Sequence, residues 1–253
     1  MLGATVATEW WQTFFSGVVL TMWQQAIPPE YSKLEAEFIS NLLRLPPGAR
    51  LLDAPCGEGR IARELAAKGY QLTGVDIAEE FLRAARDAAK RHNLAMELEL
   101  GDVRSLRFRG EFDGAICWGN SFGFFDDAGN AALLQSLARA LRPGGRLVLD
   151  ASSNAESRLP NFCPREWSRI ADILFLEENE YDHAQGRMIT QYTFIRDGKE
   201  EKRTGSHRIY TYREICRMLE EAGFTQVESY ASLSKEPFKL GANQLFMEAI
   251  KTS

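Results

Sequence analysis

The stretch Leu51-Leu52-Asp53-Ala54-Pro55-Cys56-Gly57-Glu58-Gly59-Arg60 constrains this chain more than any other. An apolar run ends in a carboxylate, meets two glycines, and continues into a helical pattern. Gly57 and Gly59 lack a Cβ, so the backbone there bends sharply and approaches a ligand closely. The helix that follows points its free N–H groups back at the same place. The segment therefore predicts a strand, a ligand-holding turn and a helix.

Around it the pattern repeats. Short apolar strands are expected at Arg50–Ala54, Gln71–Val75, Met96–Leu100, Gly114–Trp118 and Arg146–Asp150, and helices at Arg60–Lys68, Ala78–Arg91 and Asn130–Leu141. Alternation of this kind, with continuously apolar strands, predicts an α/β fold with a parallel sheet covered by helices on both faces. Upstream, a helix is expected from Pro29 to about Leu43, with Leu34, Phe38 and Leu42 on one face, ended by Pro46-Pro47-Gly48. After Asp150 the rhythm changes. Ile173–Tyr181, Met188–Arg196 and Lys202–Tyr210 are rich in β-branched and aromatic residues, and Asp197-Gly198 is a hairpin signal, so an antiparallel insertion is expected. Thr211-Tyr212-Arg213-Glu214 has capping-box spacing and opens a last helix. Two strands, Thr225–Ser232 and Gln244–Lys251, follow it with no helix between them, which allows an antiparallel final strand.

The charge balance narrows the partners. Against 35 Asp+Glu stand 30 Lys+Arg, a formal net charge of −5, so the basic field that a nucleic-acid partner demands is missing. Cys56, Cys117, Cys163 and Cys216 are widely spaced without a C-x-x-C pair, which fits reduced thiols and suggests no metal site. Asp126, Asp150 and Asn154 are too loosely spaced to predict a hard-cation site. Phe14–Trp23 is too short for a bilayer span, and the residues Met1–Thr8 include no basic one, so a cytoplasmic protein without membrane association is expected. Trp11, Phe14, Phe15 and Val18 fall at helical spacing and form an aromatic stripe, read either as packing on the core or a second subunit, or as a lid over a substrate pocket.

Taken alone, the glycine turn fits two cofactor classes. Gly57-x-Gly59-x-x-Ala62 satisfies the dinucleotide fingerprint, and Asp76 sits where a ribose-binding carboxylate is expected, which would make the chain an NAD(P)-dependent oxidoreductase. The electrostatics argue otherwise. Asp53 ends the strand, and Asp102 follows the third strand as a further acid on the same sheet edge. Carboxylates beside a diphosphate are unfavourable, whereas beside an ammonium or sulfonium group they are stabilising.

With those residues the chain resembles the class I S-adenosylmethionine-dependent methyltransferases, over roughly Leu51–Asp150 and from Tyr212 to Ile250. The resemblance implies a Rossmann-like, seven-stranded, mostly parallel sheet with an antiparallel last strand, the β insertion lying between strands 5 and 6. It divides the chain into a helical lid (1–45), a cofactor-binding core (46–155 and 209–253) and an insertion serving substrate or oligomer contacts (156–208). Asp53, Gly57 and Gly59 would face the methionine part of the cofactor, Asp76 the ribose hydroxyls, Ile77 the adenine ring, and Asp102 with Val103 the adenine amino edge, with Cys117 and Trp118 completing the cofactor site. Pro55 stands where the family usually places glycine. Gly119-Asn120-Ser121-Phe122 is similar to the stretch in glycine N-methyltransferase-like, small-molecule members. The implied activity is methyl transfer to N or O of a small molecule, with S-adenosylhomocysteine as product. A non-catalytic, cofactor-binding assembly protein is the remaining alternative, and a homo-oligomer is compatible with either.

The acceptor side is less legible. Trp11, Phe15, Asn120, Phe122, Arg208 and Tyr210 are candidate substrate contacts. His207, His183, Tyr210 and Arg208 are the candidates for any acid or base, each with an ordinary structural explanation as a core, turn or strand residue.

Overall fold

The computed structural model describes residues 6–252, so residues 1–5 of the expected lid lie outside the described part. Three helices, α1 (Trp11–Phe14), α2 (Val18–Ala26) and α3 (Pro29–Leu43), precede the alternating core of β1 (Arg50–Asp53), α4 (Arg60–Ala67), β2 (Gln71–Asp76), α5 (Glu79–Arg91), β3 (Met96–Leu100), β4 (Phe112–Cys117), α6 (Asp127–Ala140) and β5 (Leu141–Asp150). The short α7 (Ala155–Arg158) leads into four strands, β6 (Arg165–Ile170), β7 (Ile173–Asp182), β8 (Arg187–Arg196) and β9 (Lys199–Arg208). The chain closes with α8 (Tyr212–Glu221), β10 (Phe224–Tyr230) and β11 (Phe246–Lys251).

Seven of the strands form one sheet in the order β10-β11-β5-β4-β1-β2-β3. The pairs from β5 to β3 are parallel, and β11 inserts antiparallel between β5 and β10. This is a Rossmann-like sheet with an antiparallel last strand. Successive residues of a strand point to opposite faces, and here both faces are covered. Leu51, Ile116, Val148 and Phe246 join a core with α3 and α4, while Leu52, Cys117, Leu149 and Met247 join the core on the other side. That two-sided burial is why these strands read as unbroken apolar runs.

The insertion is a separate antiparallel sheet in the order β6-β7-β8-β9. Asp197 and Gly198 both take positive φ, 50° and 71°, the conformation of a two-residue hairpin turn matched to strand twist. Thr211 and Glu214 form the reciprocal capping box at the start of α8.

Four local expectations are corrected. The aromatic stripe of the N-terminus is not one helix, because Gly17 at φ 56° breaks it into α1 and α2, and the Gly17 N–H donates to the Glu80 carboxylate at 3.0 Å. Leu34 is 59% exposed; the buried face of α3 is Ser32, Glu35, Ala36, Phe38, Ile39, Leu42 and Leu43. Helix α6 begins earlier than its apolar pattern, at Asp127, because the Asp126 side chain caps it through the Gly129 N–H. Strand β6 is an additional edge strand, and its mostly exposed sequence Arg-Glu-Trp-Ser-Arg-Ile carried no clear alternation. Among the described residues, no helix is long and apolar enough to cross a membrane.

Phe246 joins the last strand to the helices over this face, stacking on Trp118 at 4.6 Å and tilting against Phe38 at 5.3 Å. Phe246→Ala is expected to lower stability by about 3–5 kcal/mol, the usual cost of an aromatic cavity in a packed core. A urea titration checks it, with the midpoint falling and the slope preserved.

Candidate active site

The parallel strands end together, and the turns after β1 and β2 meet at that edge. Gly57 adopts φ 55°, and its N–H donates to Asp76 Oδ2 at 2.7 Å, while Asp76 Oδ1 accepts the Ala78 N–H at 2.9 Å. One carboxylate thus fastens two turns. Burial raises the pKa of Asp76, and the three backbone N–H groups around it pull the other way. Asp53, at the end of β1, is 2% exposed, and no described residue donates a hydrogen bond to its side chain. Burial pushes its pKa up to about 8, against the attraction of Arg60 and with the neighbouring Asp76 charge adding to the rise.

Arg60 is held from below. Glu35 of α3 pairs with its guanidinium, and the same carboxylate accepts the Trp118 indole N–H at 2.8 Å. Neither Glu35 nor Arg60 was singled out from the sequence. A charge interrupting the apolar face of α3 was the available signal, and the placement of the stripe on Leu34 hid it.

Asp102 caps the turn at Val103–Ser105, and its carboxylate is gripped by Arg104, whose Nη2 donates at 2.6 Å. Burial raises its pKa, but the hydrogen bonds and charge of Arg104 outweigh this and the net shift is downward. Arg104 also pairs with Glu9 and lies over the rings of Trp11 and Phe125, at 5.3 and 4.8 Å.

These groups open on a cavity of about 370 Å³. From the sheet edge it is lined by Asp53, Gly57, Asp76, Ile77, Asp102, Val103 and Trp118. From above come Trp11 and Phe15 of the N-terminal segment, Asn120 of the loop after β4, and His207 of β9. On the insertion sheet alternate residues face inward, among them Phe175 and Glu177 on β7 and Thr190, Tyr192 and Phe194 on β8. Phe81 on α5, Arg158 on α7, and Glu177 and Tyr192 on the insertion strands had no sequence signal; both faces of those strands mix polar and apolar residues, so nothing marks the inward one.

Six expected residues lie elsewhere. Gly59 does not reach the cavity; it sits at φ 75° ahead of α4, where an added Cβ would come within 3.2 Å of Ala85 Cβ. Cys117 is fully buried in the core on the other face of its strand from Trp118. Phe122 packs on Tyr210 at 5.7 Å. Tyr210 donates to Asp127 of α6 at 2.7 Å, and Arg208, the last residue of β9, pairs with Asp127 and with Glu214 of α8; neither lines the cavity. His183 is exposed in the β7–β8 turn. His207 does face the cavity; burial, with Arg158 adding, pushes its pKa down to about 3, against a contact to the Asn120 carbonyl at 3.4 Å. Asp126, Asp150 and Asn154 are spent on capping and turns, and no group of three or more metal-ligating side chains occurs among the described residues.

A family profile described as a methyltransferase domain matches residues 51–145. A putative methyltransferase of Bacillus subtilis (strain 168) is 32% identical over 216 residues, covering 82% of this chain and 86% of its own. The chain belongs to the class I S-adenosylmethionine-dependent methyltransferases. Solved structures agree in fold: this methyltransferase superposes on a S-adenosylmethionine-dependent methyltransferase from Clostridium acetobutylicum with TM-score 0.77 at 18% identity, over 88% of this chain and 92% of the other. With an amino pentose methyltransferase from Micromonospora echinaspora, solved with S-adenosylmethionine bound, the TM-score is 0.70 at 19% identity, over 93% and 97%. S-adenosylmethionine is accordingly the cofactor of this methyltransferase.

The raised pKa of Asp53 has a consequence for stability. The folded protein keeps a proton that the unfolded chain releases above about 4, so folding loses stability as pH rises from about 4 to about 8. Asp53→Asn mimics the neutral form. Without ligand, the variant is expected to gain stability over the parent progressively across that interval and to match it near pH 4, which thermal denaturation at stepped pH reads directly.

Proposed function

We propose that this methyltransferase moves a methyl group from S-adenosylmethionine to a nitrogen or oxygen of a small molecule. The observation that carries the reading is the continuity of one cavity, from the acidic, glycine-turned sheet edge to an aromatic chamber under the insertion.

The residues at the edge fit such a donor. Asp53 is a buried carboxyl without a hydrogen-bond donor, and the positive charge of an ammonium group placed beside it would lower its pKa, so that it gives its proton to solvent and pairs as the carboxylate. Asp76 fixes the turn, and its remaining lone pairs suit hydroxyl donors of a ribose. Ile77 and Val103 offer apolar walls for a purine, with Asp102 at the rim.

When bound, the cofactor supplies an activated methyl group on a positively charged sulfur, so the protein chiefly aligns the acceptor and excludes water. The rings of Trp10, Trp11, Phe14, Phe15, Phe124 and Phe125 perform the exclusion, packed edge to face at 4.8 to 6.2 Å. His207, held neutral by burial, serves as a hydrogen-bond partner, and with a pKa of about 3 it is too weak a base to strip a hydroxyl. An acceptor that arrives as a neutral amine needs no base at all.

Calorimetric titration with S-adenosylhomocysteine tests the donor site. Binding is expected in the parent, weakened about tenfold or more in Asp76→Ala as a desolvated hydrogen-bonding carboxylate is lost. Equal binding by both would sink the assignment. Release of homocysteine from coupled S-adenosylhomocysteine hydrolysis, across a library of amines and phenols, then separates a catalyst from a protein that only binds the cofactor.

A further inference from the structure

Most charges lining the cavity are already answered by the protein. Glu58 pairs with Arg63, Arg60 with Glu35, and Asp102 with Arg104, while Asp76 receives two backbone N–H groups. Asp53 is taken by the donor in the function proposed above. Two charges remain, both on the insertion side: Arg158, the last residue of α7, and Glu177, in the middle of β7.

Their side chains pair neither with each other nor with any other described residue. They are nonetheless near neighbours electrically, since the charge of Arg158 reaches Glu177, Tyr192 and His207, the inward residues of three adjacent strands. Glu166 stands directly across the ladder from Glu177. Burial and that like charge, against Arg158, push the Glu177 carboxyl up to about 7. Unpaired ionic groups in a confined apolar space are costly unless something arrives to pair them. A second mismatch has the same sense: the indole N–H groups of Trp10 and Trp11 are buried without an acceptor. The walls between are aromatic, with Phe175 stacked on Tyr192 at 5.8 Å and 10°.

We propose that the acceptor is amphoteric on a flat apolar frame, with an anionic group received by Arg158 and an N–H or O–H donor facing Glu177. The proposal rests on the methyltransferase reading of the same cavity and deepens it. Arg208, which a strand reading of the sequence offers for an acceptor carboxylate, is excluded from that part by its bonds to Asp127 and Glu214. Arg158 takes the part because it is the cation in the chamber that no protein group has claimed.

The test uses protein saturated with S-adenosylhomocysteine and four probes on one indole frame: L-tryptophan with both charges, tryptamine with the ammonium, indole-3-propionate with the carboxylate, and 3-ethylindole with neither. Calorimetry is expected to rank L-tryptophan about tenfold or more above either singly charged probe, consistent with desolvated charge pairs. Arg158→Gln should erase the difference between L-tryptophan and tryptamine, and Glu177→Gln that between L-tryptophan and indole-3-propionate. Retained S-adenosylhomocysteine binding in both variants shows that they are folded. Equal binding of 3-ethylindole and L-tryptophan, no binding of any probe at millimolar concentration, or an unchanged ranking in both variants overturns the proposal. S-adenosylhomocysteine is titrated first: its failure to bind the parent removes the donor reading, whereas its binding without the indole ranking removes only the amphoteric acceptor.

Discussion

The Asp76 carboxylate is the fastening on which the rest of the site depends. It accepts the Gly57 N–H from the turn after β1 and the Ala78 N–H from the turn after β2, so two loops that share no sequence neighbourhood are held as one surface. A neutral side chain of the same size would make weaker bonds, because a charged acceptor roughly doubles the strength of each. The cost is a buried negative charge, and the structure offsets it with backbone dipoles alone. Asp53 beside it receives no backbone N–H and keeps its proton instead, with only the charge of Arg60 favouring its release.

The sheet supplies rigidity by burying both faces, and this leaves the strand ends as the place where irregular backbone can serve a ligand. The insertion and the N-terminal segment then build what the sheet lacks, a roof. Its parts come from distant segments, yet they interlock through rings: Trp10 packs on Phe124 at 4.9 Å, Phe14 on Tyr192 at 5.2 Å, and Phe15 on Phe81 at 5.8 Å. The roof is therefore a surface assembled from four chain regions, while the acidic edge comes from consecutive turns of one.

That difference explains what the amino-acid sequence discloses. The acidic sheet edge is legible because its construction is local: Asp53, Gly57 and Asp76 lie at fixed offsets from strand ends, and backbone geometry dictates the residue types. The hairpin at Asp197-Gly198 and the box at Thr211 and Glu214 are legible for the same reason. The roof depends on register, and register cannot be read from a strand whose two faces are both mixed. Glu177 and Glu178 look alike in one dimension, but only the first turns inward. Likewise nothing in one dimension shows that Arg208 is occupied by Asp127 and Glu214. Cys117 and Trp118 were both credible beside a cofactor, and the pleat separates them.

Arg104 joins these two kinds of construction, gripping Asp102 at the sheet edge and Glu9 ahead of α1 while its planar head lies against Trp11 and Phe125. The clasp is partly exposed, and such ion pairs weaken as salt screens them, whereas the aromatic contacts beneath do not. The attachment of the N-terminal segment over this edge is thus part electrostatic and part apolar, and the two parts answer differently to salt.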